Sequence, residues 1–145
     1  MVMKLFNKRR LTWLFMLAFV FSITACSAEE KEIKHKIIDG ANNANGKDIT
    51  VDIGVVSKRK VLRMCIQTPY LIRQAMEDKV GSKVDDFYEV DDRFFVLWVF
   101  QGPQPPMRIK FHRWREINFG DQPNRCVLTS RVRIINSQLY LIGEK

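Results

Sequence analysis

Phe94-Phe95-Val96-Leu97-Trp98-Val99-Phe100 is seven apolar residues in a row, bounded by Asp91-Asp92-Arg93 before it and by Gln101-Gly102-Pro103 after it. An unbroken apolar run between turn residues suits a central strand covered on both faces. The rest of the chain must supply those covers. Downstream, Gln101 to Pro106 breaks the run with a glycine and three prolines. Met107 to Phe119 then reads as the next strand, Gly120 to Asn124 as a turn, Arg125 to Ile135 as a returning strand, and Gln138 to Ile142 as a last strand after an Asn136-Ser137 turn.

Upstream lies a helix whose start and stop agree. Thr68 is the expected N-cap, Pro69 the first helical residue and Gly81 the stop, with Leu71, Ile72, Ala75, Met76 and Val80 as an inward stripe. Phe87 to Val90 reads as a strand between this helix and the Asp91-Asp92 turn. Further back, Ile49, Val51 and Ile53 alternate with Thr50 and Asp52, as a half-buried strand does. Ser57 to Lys60 is a basic turn, and Val61 to Ile66 a more buried strand. Ile33, Ile37 and Ile38 share a helical face as far as Asp39, with Gly40 as the expected stop, and a polar loop with an Asn45-Gly46 turn follows. Consecutive strands with short links predict an α+β fold, an antiparallel meander of about five to seven strands with the 69–80 helix on one face. A small β-sandwich or partly open barrel is the alternative.

The first twenty-six residues carry a different message. Lys4, Lys8, Arg9 and Arg10 precede a stretch from Leu11 to Ala25 that is apolar apart from Thr12, Ser22 and Thr24. A stable span wants about 20 apolar residues, and Cys26-Ser27-Ala28-Glu29-Glu30 turns polar at once. Ile23-Thr24-Ala25-Cys26, in this setting, resembles the lipobox of bacterial lipoproteins. The resemblance covers the signal alone. It implies removal of residues 1–25, lipid attachment to Cys26, a lipidated tether over 26–31 and one globular domain over 32–145. In that family Ser27 after the cysteine implies the outer membrane, on its periplasmic face. A plain signal peptide cut near Ala25 or Ala28 is the alternative reading of the same residues.

Loss of the signal changes the charge argument, because it holds four of the 24 Lys and Arg and none of the 16 Asp and Glu. The formal +8 falls to +4. The basic balance is therefore half a targeting feature, and no nucleic-acid partner is expected from it. With Cys26 lipidated, Cys65 and Cys126 remain as an even pair in an oxidising space, and a disulfide between them is expected; two buried thiols are the alternative. No third or fourth ligand stands at metal-binding spacing, so neither a metal nor a cofactor is expected. The acidic group Asp85, Asp86, Glu89, Asp91 and Asp92 lacks the spacing and the glycine of a calcium loop and reads as a solvated turn.

Catalytic motifs are missing from the sequence: it has no G-x-S-x-G, H-E-x-x-H, P-loop or dinucleotide fingerprint. The reading favours a non-enzymatic envelope lipoprotein that binds a protein, as an assembly accessory, inhibitor or immunity protein. A small envelope hydrolase or cell-wall-modifying enzyme using His112 is the alternative. The candidate binding face follows from strand parity. Met107, Ile109 and Phe111 point inward on odd numbers, and Cys126, Leu128, Val132 and Ile134 on even ones. Pairing of these two strands would set Lys110 beside Arg133 and His112 beside Arg131, with Arg108 and Trp114 on the same face. Like charges facing each other suggest an acidic partner, and an ordinary solvated sheet face is the alternative.

Overall fold

The computed structural model describes residues 28–120 and 125–143. In chain order these form α1 (28–43), β1 (Ile49–Asp52), α2 (Ile53–Ser57), β2 (Arg63–Gln67), α3 (Arg73–Val80), β3 (Phe94–Phe100), β4 (Met107–His112), β5 (Asn118–Phe119), β6 (Cys126–Val127), β7 (Arg131–Ile135) and β8 (Gln138–Ile142). The class is α+β. The strands divide into two four-stranded sheets, β4-β3-β2-β6 and β1-β7-β8-β5, with β5 and β8 as the one parallel pair among the described residues. They do not close into a barrel.

The seven-residue run is β3, and both of its faces are buried. Phe95, Leu97 and Val99 enter a core shared by the two sheets, with Ile66, Ile109 and Phe111 from their own sheet and Val132, Ile134 and Leu139 from the other. Ile33 and Ile37 of α1 seal the same core. Val96 and Trp98 point the opposite way, into a second cluster made with Cys65, Leu71, Met76 and Val80. α3 thus covers the outer face of its sheet, as its apolar stripe requires.

The meander is divided because β3 takes β4 on one side and β2 on the other, while the outer amides of β4 at Arg108 and His112 are taken by the Glu30 and Glu116 carboxylates rather than by β7. The predicted pairing of the 107–119 and 125–135 strands is therefore corrected: β7 pairs with β1 and β8, opposing Arg133 to Thr50 and Tyr140. Both long predicted strands are also broken. The chain turns at 113–116 between β4 and β5, and at 128–130 between β6 and β7. Leu128, assigned inward by parity, falls in that second break and is 74% exposed.

Three further expectations change. Gly40 does not stop α1, which continues to residue 43. A Cβ there would lie 3.2 Å from Ile134 Cδ1, so the glycine serves close approach of helix to sheet rather than termination. α3 begins at Arg73 with Ile72 as its N-cap; Leu71 is buried but Ile72 is 57% exposed, because Thr68 to Leu71 forms a turn before the helix. Gly81 ends α3 in the left-handed region, as expected. Residues 87–90 form no strand. Their backbone is satisfied from outside a ladder: Gln67 Nε2 donates to the Tyr88 carbonyl (2.7 Å) and the Tyr70 amide to the Val90 carbonyl (3.0 Å).

Gln67 is wholly buried, and its other end accepts from Trp98 Nε1 at 2.7 Å. One amide side chain therefore ties β2, β3 and the 84–90 segment together with both of its polar ends used. The Cys65–Cys126 disulfide is formed, its two residues directly opposed on β2 and β6.

Candidate functional site

On the outer face of the β4-β3-β2-β6 sheet, register sets Trp98 opposite Arg108, Val96 opposite Lys110 and Phe94 opposite His112. Alternation sends Met107, Ile109 and Phe111 into the core, so the even residues of β4 project on the side where α3 and the 84–90 segment lie. α3 covers β2 and β3 but leaves β4 open. Cations and rings interleave along that opening. Arg108 lies 5.9 Å from the Trp98 ring centroid and 5.8 Å from that of Tyr88. Lys110 Nζ sits 5.9 Å from Tyr88 and 4.0 Å over Phe94. His112 meets Phe94 edge-on at 5.1 Å and Trp114 at 6.3 Å; Arg113 then stands over Trp114 (5.4 Å) and Phe119 (5.0 Å). The result is one continuous row from Trp98 to Phe119.

The way these cations are held determines what the row can do. Arg108 Nη1 donates to the Asp86 carbonyl (2.6 Å), Arg113 Nη1 to the Asp92 carbonyl (2.9 Å), and Arg113 Nε to Asn118 Oδ1 (3.1 Å). These acceptors are neutral. They orient the guanidinium groups without cancelling their charge, and among the described residues Arg108, Lys110 and Arg113 form no ion pair. Oriented cations flanked by ring faces suit carboxylates backed by apolar or aromatic groups. Trp114, 62% exposed at the end of the row, offers the apolar contact.

Arg93 behaves differently. It lies 5.5 Å from the Phe94 centroid but makes a two-pronged pair with Asp91, at 2.6 and 3.1 Å. The Arg93 side-chain and backbone hydrogen bonds hold the Asp91 carboxyl down at about 2, below its ordinary 3.8. A depressed carboxyl contributes its stabilisation above the unfolded-state value and loses it as pH falls through the folded value, here from near 4 down to about 2. Arg93→Ala is expected to return the Asp91 midpoint toward the ordinary value in an NMR titration of side-chain carboxyls; an unmoved midpoint would contradict the assignment. The Tyr88 hydroxyl is shifted up, foremost by burial, with Arg108 opposing and Glu30 adding to the rise.

Of the six residues expected to share a face, Arg108, Lys110, His112 and Trp114 are together. Arg131 and Arg133 are not; they stand on the other sheet, where Arg133 pairs with Asp48. Arg113, Tyr88 and Phe94 are members that sequence parity misses. Strand alternation assigns odd-numbered Arg113 inward, but β4 ends at His112 and the turn rotates Arg113 back to the surface. Among the described residues no three His, Cys, Asp or Glu side chains gather as a metal site, and no helix is long and apolar enough to cross a membrane. Cys26 lies outside the described residues. The Glu116 carboxylate, near His112 in sequence, is engaged by the His112 amide (2.8 Å) and by Lys34 Nζ (2.9 Å). No family model, curated protein or solved structure matches this chain.

Proposed function

We propose that the chain is an envelope lipoprotein, attached to a membrane through Cys26, that binds an acidic protein partner through the β4 face and catalyses no reaction. The observation that carries the binding role is the retention of charge on Arg108, Lys110 and Arg113, all three positioned by carbonyls, an amide or ring faces. The signal sequence supports the address, with the periplasmic face of the outer membrane as the proposed location. The disulfide fits an oxidising compartment. An assembly accessory, an inhibitor and an immunity protein would each use such a face.

The two basic faces can be separated experimentally. Lys110→Glu with Arg113→Glu is expected to abolish capture of an acidic partner from envelope extract, whereas Arg131→Glu with Arg133→Glu leaves it intact. Capture by the parent protein should weaken steeply with added salt, since steering charges are screened within about 8 Å at physiological ionic strength. Undiminished capture by the Lys110→Glu, Arg113→Glu variant would place binding elsewhere.

A further inference from the structure

The first turn of α1 fixes which end of the domain faces the anchor. Glu29 Oε2 pairs with Arg59 Nη2 at 3.4 Å, and the same guanidinium donates from Nη1 to Gln104 Oε1 at 2.8 Å. One residue on, Glu30 Oε1 accepts the Arg108 amide at 3.3 Å. The segment expected to be a short tether over 26–31 is helical from residue 28 and bonded to the domain from Glu29 onward. Only Ser27 and Ala28 stand between Cys26 and Glu29, a three-residue step that reaches at most about 11 Å in any chain conformation.

Around that point the surface has a consistent composition. Lys58, Arg59 and Lys60 are consecutive and exposed, after α2 ends with Lys58 in the left-handed region. Leu62, 43% exposed, lies beside Gly102, and the 101–106 loop next to it presents Pro103, Gln104 and Pro105 to solvent. Of the acidic groups near it, Glu29 is committed to Arg59 and Glu30 to the β4 edge, while exposed Asp85 and Asp86 share a cleft with Pro103, Gln104 and Pro105. Lys58 and Lys60 pair with no carboxylate among the described residues.

We infer that this end, Lys58-Arg59-Lys60 with Leu62, rests on anionic phospholipid headgroups and holds the domain in one orientation. The inference depends on attachment at Cys26, and it adds a second membrane contact to the lipid. Acyl chains and a basic patch reinforce each other at a bilayer. α1, about 24 Å long at the α-helical rise, then carries the far end of the domain, with Asn45 and Lys47, away from the surface.

The test uses the full lipidated protein reconstituted in vesicles of phosphatidylethanolamine with phosphatidylglycerol, and separately in vesicles of phosphatidylcholine. Amine acylation is followed residue by residue by mass spectrometry. Lys58 and Lys60 should react about fivefold more slowly on the anionic vesicles, the protection being reversed by high salt. Lys47 and Lys110 should react alike on both. Equal rates at Lys58 and Lys60 on the two surfaces, or protection of Lys47 to the same degree, would overturn the docking. The same digest reads the mass of Cys26: an acylated cysteine without protection sinks the docked orientation alone, and an unmodified cysteine sinks the anchoring and the docking with it.

Discussion

Replacing Cys65 and Cys126 together by alanine is expected to lower the unfolding free energy by about 4 kcal/mol, the chain-entropy value for the 61-residue separation that the bridge closes. Against a total of roughly 5–15 kcal/mol for a domain, that is a large fraction. The local consequence is specific. β6 is a two-residue edge strand whose ladder pairs Cys126 with Cys65 and Val127 with Met64. Without the bridge so short a ladder holds little, and hydrogen exchange at Val127 should rise well before exchange in β3. Denaturant titration of the oxidised, reduced and double-alanine forms checks the prediction. The last two should coincide, and a loss below about 1 kcal/mol would mean that the bridge barely restrains the unfolded chain.

Trp98→Ala is expected to cost about 3–5 kcal/mol, the range for truncating a buried aromatic side chain. Trp98 is fully buried and stacks near Phe87 (6.4 Å) and Phe100 (6.4 Å) while its indole donates to Gln67. Its loss therefore opens a cavity and leaves the Gln67 carbonyl without its donor. Trp98→Phe separates the two effects, since it keeps a ring and removes the N–H; about 1–3 kcal/mol is expected for an orphaned buried acceptor. If the two substitutions cost the same, the hydrogen bond rather than the packing dominates. A further consequence concerns the proposed binding face. Arg108 is positioned by the Asp86 carbonyl and by the rings of Tyr88 and Trp98, so loosening the 84–90 segment should weaken partner capture even in variants that remain folded.

Features that depend on local pattern were legible in the sequence, and features that depend on pairing were not. The β3 run needs two covers whatever the topology, and β4 and β7 show their buried sides through clean alternation. The Asn45-Gly46 turn also appears, with both residues at positive φ. Strand partners failed because parity constrains which residues may face each other but not which strands meet. β4 and β7 satisfy the same parity while lying in different sheets. Phe87 to Val90 looks like a strand because its composition suits a buried surface; the hydrogen bonds that hold it come from Gln67 and Tyr70, distant in sequence. Three members of the site, Arg108, Lys110 and His112, emerged from the alternation of β4; Trp114 and Arg113 lie in the turn beyond it, which has no such period, and Arg113 was missed for that reason.

α1 has one more consequence, for behaviour at high surface density. Of the four edge strands β4 is the longest at six residues, against four for β1 and two each for β5 and β6. Its outward amides at Arg108 and His112 are taken by the carboxylates of Glu30 and Glu116, and Lys34 of α1 ties down Glu116. Proteins confined to a membrane meet one another far more often than in free solution, and in shared orientations. A long open strand would then be a template for sideways polymerisation. On the proposed membrane attachment, the Glu30 and Glu116 carboxylates cap that template at two of its amides, so crowding of many copies on one surface need not become aggregation.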